Sequence, residues 1–217
     1  MVKKIGLYGG SFDPIHVGHL NLATEIMEAH HLDEVWFCPT AINPHKTEQD
    51  PVSADHRLNM IDLAIENEPR FKISEIEIQR EGISYTIDTL NELSEIQKSQ
   101  DSENPITFAL ILGEDSARNF HKWHKPEEIV ERVSIYTGSR TDFKKNNAGE
   151  PFQGSSNIKK ALEKGLTKTR LLDISSKEIR ERLLNKKYCY HLVPAKVMDY
   201  IIANHLYYHP LNEIRFL

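Results

Sequence analysis

Apolar positions fall into two kinds of pattern along this chain of 217 residues. The first kind is the short continuous apolar run, which is typical of a buried parallel strand. Such runs occupy residues 5–8, 34–38, 106–112 and 134–137. The second kind recurs at three- and four-residue spacing, as in Leu20, Ala23, Ile26 and Met27, and predicts amphipathic helices. Strands and helices in alternation predict an α/β fold with a Rossmann-like, doubly wound parallel sheet.

Several other elements are assigned on shorter patterns. Residues 71–79 alternate through Ile73, Ile76 and Ile78, which predicts a strand, and residues 171–174 predict a final strand. Further helices are expected over residues 53–67, 84–96 and 194–204, and a mobile basic loop with a short amphipathic piece within 138–169. Together these elements predict one domain over residues 1–217, whose residues 175–217 form a C-terminal helical portion.

The first strand runs directly into a glycine-rich turn, Gly-Gly-Ser-Phe-Asp-Pro-Ile-His-Val-Gly-His at residues 9–19, and then into a helix. Such a turn lets backbone N–H groups approach a phosphate, and the positive end of the helix dipole points at the same place. His16 and His19 can both donate hydrogen bonds there. The sequence of this turn matches neither the P-loop pattern nor the glycine pattern of dinucleotide-binding proteins. A metal site at the two histidines would need a third ligand, and none stands at a suitable spacing. An ordinary turn with two surface histidines stays open on spacing alone.

Composition narrows the class of protein. Apolar residues make up 39% and charged residues 27%, and the net charge is −5, which gives no support to general nucleic-acid binding. Cys38 and Cys189 are far apart and are expected to be free thiols in a reducing compartment. The N-terminal apolar run is too short for a signal peptide, and no run of about 18 apolar residues predicts a membrane span. A cytoplasmic protein is expected.

Four further segments carry candidate chemistry. Lys46 follows the second strand and could bind phosphate, and Arg180 lies one turn into a helix that begins near Ser175 and Ser176. Tyr85 and Thr86 stand at another helix N-terminus, which can bind an anion. A solvated lysine or simple helix capping explains each of these residues equally well or better from spacing alone. Asp115 could bond a ribose hydroxyl or cap a helix, and Trp123 could stack on a pyridine ring or belong to the core.

Taken together, the motifs resemble one family. The run at residues 9–19 resembles the signature of nucleotidylyltransferases, and the whole chain is similar to the bacterial nicotinate-nucleotide adenylyltransferases. The similarity continues through Pro-His-Lys at 44–46, Arg57-x-x-Met60, Ser-Tyr-Thr-Ile-Asp-Thr-Leu at 84–90, Gly-Glu-Asp at 113–115 and Ile-Ser-Ser-Lys-Glu-Ile-Arg at 174–180. Glu114 and Lys177 depart from the residues that are commoner in the family, and a packed core residue is the preferred interpretation of Met60.

This resemblance implies transfer of AMP from ATP to nicotinate mononucleotide, with release of pyrophosphate. It implies catalytic roles for His16, His19, Lys46 and Arg180. It implies that ATP is bound by Gly9, Gly10, Ser11, Phe12, His16, Gly18, His19, Ser175, Ser176 and Arg180. It implies that the mononucleotide is bound by Ser11, Phe12, Lys46, Tyr85, Thr86, Asp115 and Trp123. Mg²⁺ is expected as a cofactor held mainly by the ATP phosphates, with no metal site on the protein.

Alternatives to this activity remain at this point. The acceptor could be nicotinamide mononucleotide or another phosphomonoester, or the protein could be a nucleotide-binding regulator without turnover. ATP and the mononucleotide are the expected partners, with neither nucleic acid nor membrane among them. The oligomeric state is left open, with a homodimer allowed.

Overall fold

A computed structural model describes residues 2–44, 51–99, 105–139, 152–170 and 172–208. Within them, six parallel strands form one sheet in the order β3-β2-β1-β4-β5-β6. The strands are β1 Lys3–Gly10, β2 Glu34–Pro39, β3 Phe71–Ile73, β4 Ile106–Leu112, β5 Ser134–Ser139 and β6 Leu166–Lys168. This is a doubly wound sheet, as expected. Successive strands are added in one direction from β1 to β3, and from β4 onward they are added on the other side of β1.

Helices connect the strands and cover both faces of the sheet. The helices are α1 Val17–His30, α2 Ala54–Ile65, α3 Ile76–Arg80, α4 Thr86–Ser99, α5 Glu114–Arg118, α6 Pro126–Arg132, α7 Ser156–Lys164, α8 Ser176–Leu184 and α9 Ala195–Ala203. A 3-10 turn, Phe120–Lys122, follows α5. The hydroxyl of Ser53 accepts the N–H of His56 at 3.4 Å, so Ser53 is the N-cap of α2 as its position in the sequence predicts.

The two faces of the sheet bury separate apolar clusters. One contains Ile26, Met60 and Ile201 from helices α1, α2 and α9, each fully buried. The other contains Ile87, Ile129 and Leu162 from helices α4, α6 and α7. Neighbouring strand residues alternate between the clusters, which is the period-two geometry of a strand buried on both sides. Cys38 and Cys189 are buried free thiols, as expected.

One strand was predicted too long, and another strand prediction was wrong. Within residues 71–79 only Phe71–Ile73 forms a strand, which pairs with β2, and Ile76 lies in α3. The spacings of three and two between Ile73, Ile76 and Ile78 fit a short helix as well as a strand. Residues 172–174 form no strand, and Leu171 lies outside the described residues. The sheet ends at β6, three residues that follow α7 closely, while Leu172 and Ile174 line a cavity.

The 138–169 region was predicted as a basic loop before a short amphipathic piece. Helix α7 confirms the amphipathic piece, with Ile158 and Leu162 buried. Strand β6 was not predicted, because three residues at a sheet edge carry too little pattern to recognise. Residues 140–151 lie outside the described residues. Among those that are described, no helix is both long and apolar enough to cross a membrane.

Candidate active site

A cavity of about 1190 Å³ follows the carboxyl edge of the sheet. Strand ends supply Gly10 from β1, Cys38 from β2, Leu112 from β4 and Gly138 from β5. All strands are parallel, so their carboxyl ends and the loops that follow them meet at this edge. The 9–19 turn and Asn43 and Pro44 of the loop after β2 therefore share one cavity, as the topology predicts.

The glycines of the 9–19 turn allow close packing around it. A Cβ atom on Gly10 would lie 3.1 Å from the ring of Phe12, and one on Gly18 would lie 3.0 Å from Nδ1 of His16. Phe12 has a φ of 48°, in the left-handed region that bulky residues rarely adopt. Its ring is 2% exposed and meets Tyr8 and Phe37 edge-on. Burial of this ring holds the strained turn in place.

His16 and His19 stack at the start of α1. Their ring centroids are 3.6 Å apart and their planes differ by 24°. The backbone N–H of His16, the N-cap, donates to Nδ1 of His19 at 3.2 Å. A ring nitrogen that accepts carries no proton, so the neutral His19 holds its proton on Nε2 and can donate there. Both imidazoles line the cavity.

Helix α8 is hydrogen-bonded to the 9–19 turn, although more than 160 residues separate them. The hydroxyl of Ser176 donates to the carbonyl of Pro14 at 2.9 Å, and Arg180 donates to the carbonyl of Asp13 at 2.6 Å. The hydroxyl of Ser175 accepts the N–H of Glu178 at 3.1 Å and caps the helix. All three predicted residues of α8 line the same cavity as the two histidines.

Arg57 holds the 9–19 turn through hydrogen bonds to backbone carbonyls, a structural role that the sequence did not predict. Its side chain is 2% exposed, and it donates to the carbonyls of Ser11 at 3.1 Å, Thr40 at 2.8 Å and Val52 at 3.2 Å. Burial lowers the pKa of Arg57, while the nearby charge of Asp13 opposes that shift. The Arg57-x-x-Met60 pattern was a signal for this residue. Met60 itself is fully buried, as its preferred interpretation expects.

The opposite wall of the cavity is built around the start of α4. The hydroxyl of Ser84 accepts the N–H of Ala41 at 2.9 Å, and the N–H of Ser84 donates to the carbonyl of Ile42 at 2.9 Å. These bonds fasten the loop after β2 to the segment that carries Tyr85 and Thr86. Both of those predicted residues line the cavity, and the ring of Tyr85 lies 4.6 Å from that of His124.

Asp115 and Trp123 complete this wall. Asp115 lies in the first turn of α5 and is exposed, and Trp123 is half-buried with its ring centroid 5.1 Å from that of Phe120. Both line the cavity. Gly9, Ser11 and Phe12 do so as well, and Ser11 accepts a hydrogen bond from Asn43 at 3.4 Å. Lys46 lies outside the described residues, so the structure does not place it.

Glu77 is a buried carboxyl at the same wall that the sequence did not single out. It is 5% exposed, and its Oε1 accepts the hydroxyl of Thr89 at 2.7 Å. Burial raises the pKa of Glu77, whereas hydrogen bonds from Thr89 and Ser84 and the charge of Arg80 act to lower it. Glu77 had no visible signal, because Ile76 and Ile78 on either side were assigned to a strand.

Fold and site together define a class of protein. A doubly wound parallel sheet carries a glycine-rich turn, two imidazoles and an arginine at the start of two helices, all facing one cavity. Helix N-termini and cationic or N–H donors are what a nucleotide triphosphate needs. The geometry is therefore that of a nucleotide-binding transferase of the α/β type.

Comparison with known proteins identifies the family. Residues 7–182 match the cytidylyltransferase-like family model. The nicotinate-nucleotide adenylyltransferase of Bacillus subtilis is 35% identical over 206 residues, covering 95% of this chain and 99% of that protein. An Oceanobacillus iheyensis protein named "Probable nicotinate-nucleotide adenylyltransferase" is 37% identical, covering 95% and 97%. The chain belongs to the nicotinate-nucleotide adenylyltransferase family within the cytidylyltransferase-like proteins.

A solved structure supports the same fold. The Plasmodium falciparum nicotinic acid mononucleotide adenylyltransferase, solved in complex with NaAD, has a TM-score of 0.73 to this structure. The two chains are 24% identical, and the match covers 94% of this chain and 97% of the other. At that identity the likeness establishes the shared α/β fold. The family and fold expected from the sequence motifs are both confirmed.

Proposed function

We propose that this protein transfers the AMP group of ATP to nicotinate mononucleotide, releasing pyrophosphate and forming the deamido form of NAD. One observation carries the proposal most directly. The turn with His16 and His19, the start of α8 with Arg180, and the start of α4 with Thr86 all line one cavity. A triphosphate and a second anion can therefore be held beside each other in it.

The ATP side of the site is assigned to the 9–19 turn and α8. The starts of α1 and α8 and the side chains of His16, His19 and Arg180 line the same cavity, where the phosphates of ATP would lie. Gly9, Gly10, Ser11, Phe12, Gly18, Ser175 and Ser176 complete the proposed ATP-binding set. We keep Lys46 as a catalytic cation on the strength of the Pro-His-Lys motif.

The acceptor side is assigned to the opposite wall. The N-terminus of α4 at Tyr85 and Thr86 offers N–H donors to the acid group of the pyridine ring. Trp123 presents a half-buried aromatic face on which that ring can stack. Asp115 is exposed and can accept a hydrogen bond from a ribose hydroxyl. Ser11, Phe12 and Lys46 complete the proposed mononucleotide-binding set.

The proposed reaction requires that two anionic substrates be positioned beside each other and that charge on the transferring phosphoryl group be stabilised. The nucleophile is an oxygen of the mononucleotide phosphate, which is largely ionised at neutral pH because its second pKa is about 6. It attacks the α-phosphorus of ATP, a new P–O bond forms, and the bond to the pyrophosphate oxygen breaks. No general base is needed. His19, His16 and Arg180 hold the two repelling anions together and stabilise charge on the transferring phosphoryl group.

A Mg²⁺ ion that arrives with ATP is part of the proposed reaction. The side chains of His16, His19 and Arg180 would hold the phosphates that carry it. Mg²⁺ commonly keeps several waters and binds through substrate phosphates. When bound there, it neutralises charge on the leaving pyrophosphate. We place the reaction in the reducing cytoplasm, in keeping with the two free thiols.

A single assay tests the activity. The protein is incubated with ATP and Mg²⁺, each acceptor is offered in turn, and pyrophosphate is measured. We expect release with nicotinate mononucleotide to exceed release with nicotinamide mononucleotide or phosphopantetheine. Faster release with one of those acceptors would reassign the substrate, and release with none of them would favour a nucleotide-binding regulator.

A further inference from the structure

We infer that Tyr207 is a positioning residue for the ATP site: its hydroxyl holds the carboxylate of Asp13 so that Arg180 stays directed at the triphosphate. The inference deepens the proposed function and rests on its assignment of Arg180 to ATP. None of the sequence motifs includes Tyr207, which lies 194 residues from Asp13 along the chain.

The contacts of Asp13 are divided between its oxygens. The hydroxyl of Tyr207 donates to Oδ1 at 2.7 Å, and the N–H of Val52 donates to the same atom at 3.3 Å. Oδ2 faces Arg180 at 3.5 Å, while the same guanidinium nitrogen donates to the carbonyl of Asp13 at 2.6 Å. Arg180 is therefore held mainly by a backbone carbonyl and only loosely by the carboxylate.

That division leaves Arg180 available to a ligand. A guanidinium and a carboxylate form a bidentate pair when nothing else engages the carboxylate oxygens. Asp13 is 7% exposed, so water offers it little replacement for a lost donor. Without the Tyr207 hydroxyl, the carboxylate would regain its hydrogen bond by turning to Arg180. The longer bond from Val52 to Oδ1 would not replace the short one from Tyr207, so the guanidinium would be drawn toward the carboxylate and away from the cavity that it lines.

The charges around Tyr207 keep its proton in place. Burial and the neighbouring charge of Asp13 raise the pKa of Tyr207, and the charges of Arg180 and Arg57 oppose this shift. A protonated phenol beside an ionised carboxylate donates to it. The hydroxyl therefore acts as a donor at all pH values at which such an enzyme would be assayed.

The backbone after α9 is bent to bring Tyr207 to this place. His205 has a φ of 53° and Tyr207 a φ of 67°, both in the left-handed region that residues with a Cβ atom rarely adopt. Between them, Leu206 is buried and its N–H donates to the carbonyl of Ile201 at 3.0 Å. Strained backbone persists only where its surroundings over-determine it. Here the burial of Leu206 and the bond to Asp13 do so.

The first experiment compares two adjacent tyrosines. Tyr207→Phe removes the hydroxyl and keeps the ring, and Tyr208→Phe removes a hydroxyl that donates to the carbonyl of Ile202 at 2.8 Å. Binding of a non-hydrolysable ATP analogue is measured by calorimetry. We expect Tyr207→Phe to weaken it about tenfold, in the range of a hydrogen bond to a charged group. We expect Tyr208→Phe to match the parent, and the KM for the mononucleotide to stay unchanged in both variants.

The second experiment asks whether Tyr207 acts through Arg180. Tyr207→Phe is combined with Arg180→Ala in a double-mutant cycle read by the same binding assay. We expect the effect of Tyr207→Phe to disappear in the Arg180→Ala background. An equal loss of affinity in both backgrounds would overturn the inference, and so would a Tyr207→Phe variant that melts earlier but binds the analogue as the parent does. The binding assay contains no acceptor and does not depend on turnover. If the parent releases no pyrophosphate in the separate activity assay, the proposed reaction is contradicted, but the double-mutant cycle still tests the role of Tyr207.

Discussion

The two walls of the cavity are built differently. On the side proposed for ATP, Asp13, Arg57 and Arg180 join the 9–19 turn to α2, α8 and the segment after α9 through half-buried hydrogen bonds. On the side proposed for the acceptor, Ser84 fastens the start of α4 to the loop after β2, while Asp115 is exposed and Trp123 half-buried. The ATP side is held by contacts between residues more than 160 positions apart, whereas the acceptor side presents Asp115 and Trp123 on short segments between β4 and α6.

This difference predicts which wall contributes to the rate of the reaction and which contributes to the affinity for the acceptor. Donors that are locked in place before substrate arrives lose little freedom when charge develops, so they contribute to the rate. Surfaces that contact only the acceptor contribute mainly to its affinity. Changes on the ATP side should therefore alter kcat and ATP affinity, and changes on the acceptor side should alter the KM for the mononucleotide.

The largest effect is expected from His19→Ala. Loss of its Nε2 donor should lower kcat by roughly 2–4 kcal/mol of transition-state stabilisation, or about 30- to 900-fold. Steady-state pyrophosphate release at saturating substrates measures it. His191→Ala, a change at an exposed histidine that stacks on Tyr188, is the matched control. A kcat within a few-fold of the parent would refute this role of His19.

A smaller effect is expected from Trp123→Ala on the acceptor side. Loss of an aromatic stacking surface should raise the KM for the mononucleotide about five- to tenfold, with the KM for ATP unchanged. Trp123→Phe keeps an aromatic ring and should restore most of the affinity. If the KM for ATP rises instead, Trp123 belongs to the other wall and the comparison is wrong.

The smallest effect is expected from Glu77→Gln, as a change in the pH dependence of stability. Burial raises the pKa of Glu77, so the folded protein keeps a proton that the unfolded chain releases above about pH 4.3. The free energy of unfolding of the parent then falls with rising pH across the interval between those two pKa values. The glutamine variant lacks this loss, so its stability relative to the parent should increase as the pH rises.

Urea unfolding at several pH values from 4 to 8 measures this difference. Glu75→Gln, at an exposed carboxyl two residues away, is the matched control. A relative stability of Glu77→Gln that stays constant or declines with rising pH would contradict a raised pKa in the folded state.

The sequence singled out the residues proposed to bind ATP but not all of the residues that support them. His16 and His19 stand in one local motif and Arg180 in another, and the structure brings all three to one cavity. The bonds of Arg57 and Tyr207 to the turn are long-range, and no local spacing signals which carbonyl or carboxylate a distant side chain will meet. The Arg57-x-x-Met60 pattern points to Arg57 but not to the carbonyls that it contacts, and Tyr207 becomes visible only once the chain is folded.

The fold shows the same division between strong and weak patterns. Strands β1, β2 and β4 are central, and their continuous apolar runs predicted them correctly. The two edge strands, β3 and β6, are three residues each, and one was predicted too long and the other missed. An edge strand buries less and pairs on one side only, so its composition constrains its position weakly.

The parallel sheet also determines where a label or fusion partner can be attached without disturbing the candidate site. Strand β1 spans Lys3–Gly10, so Lys3 lies about 20 Å from the start of the 9–19 turn along the strand. A fluorescent label or a fusion partner joined before Lys3 therefore sits at the far edge of the sheet. A label attached at Tyr208 would instead adjoin the tyrosine that contacts Asp13. Immobilisation for binding measurements should therefore use the first of these two positions.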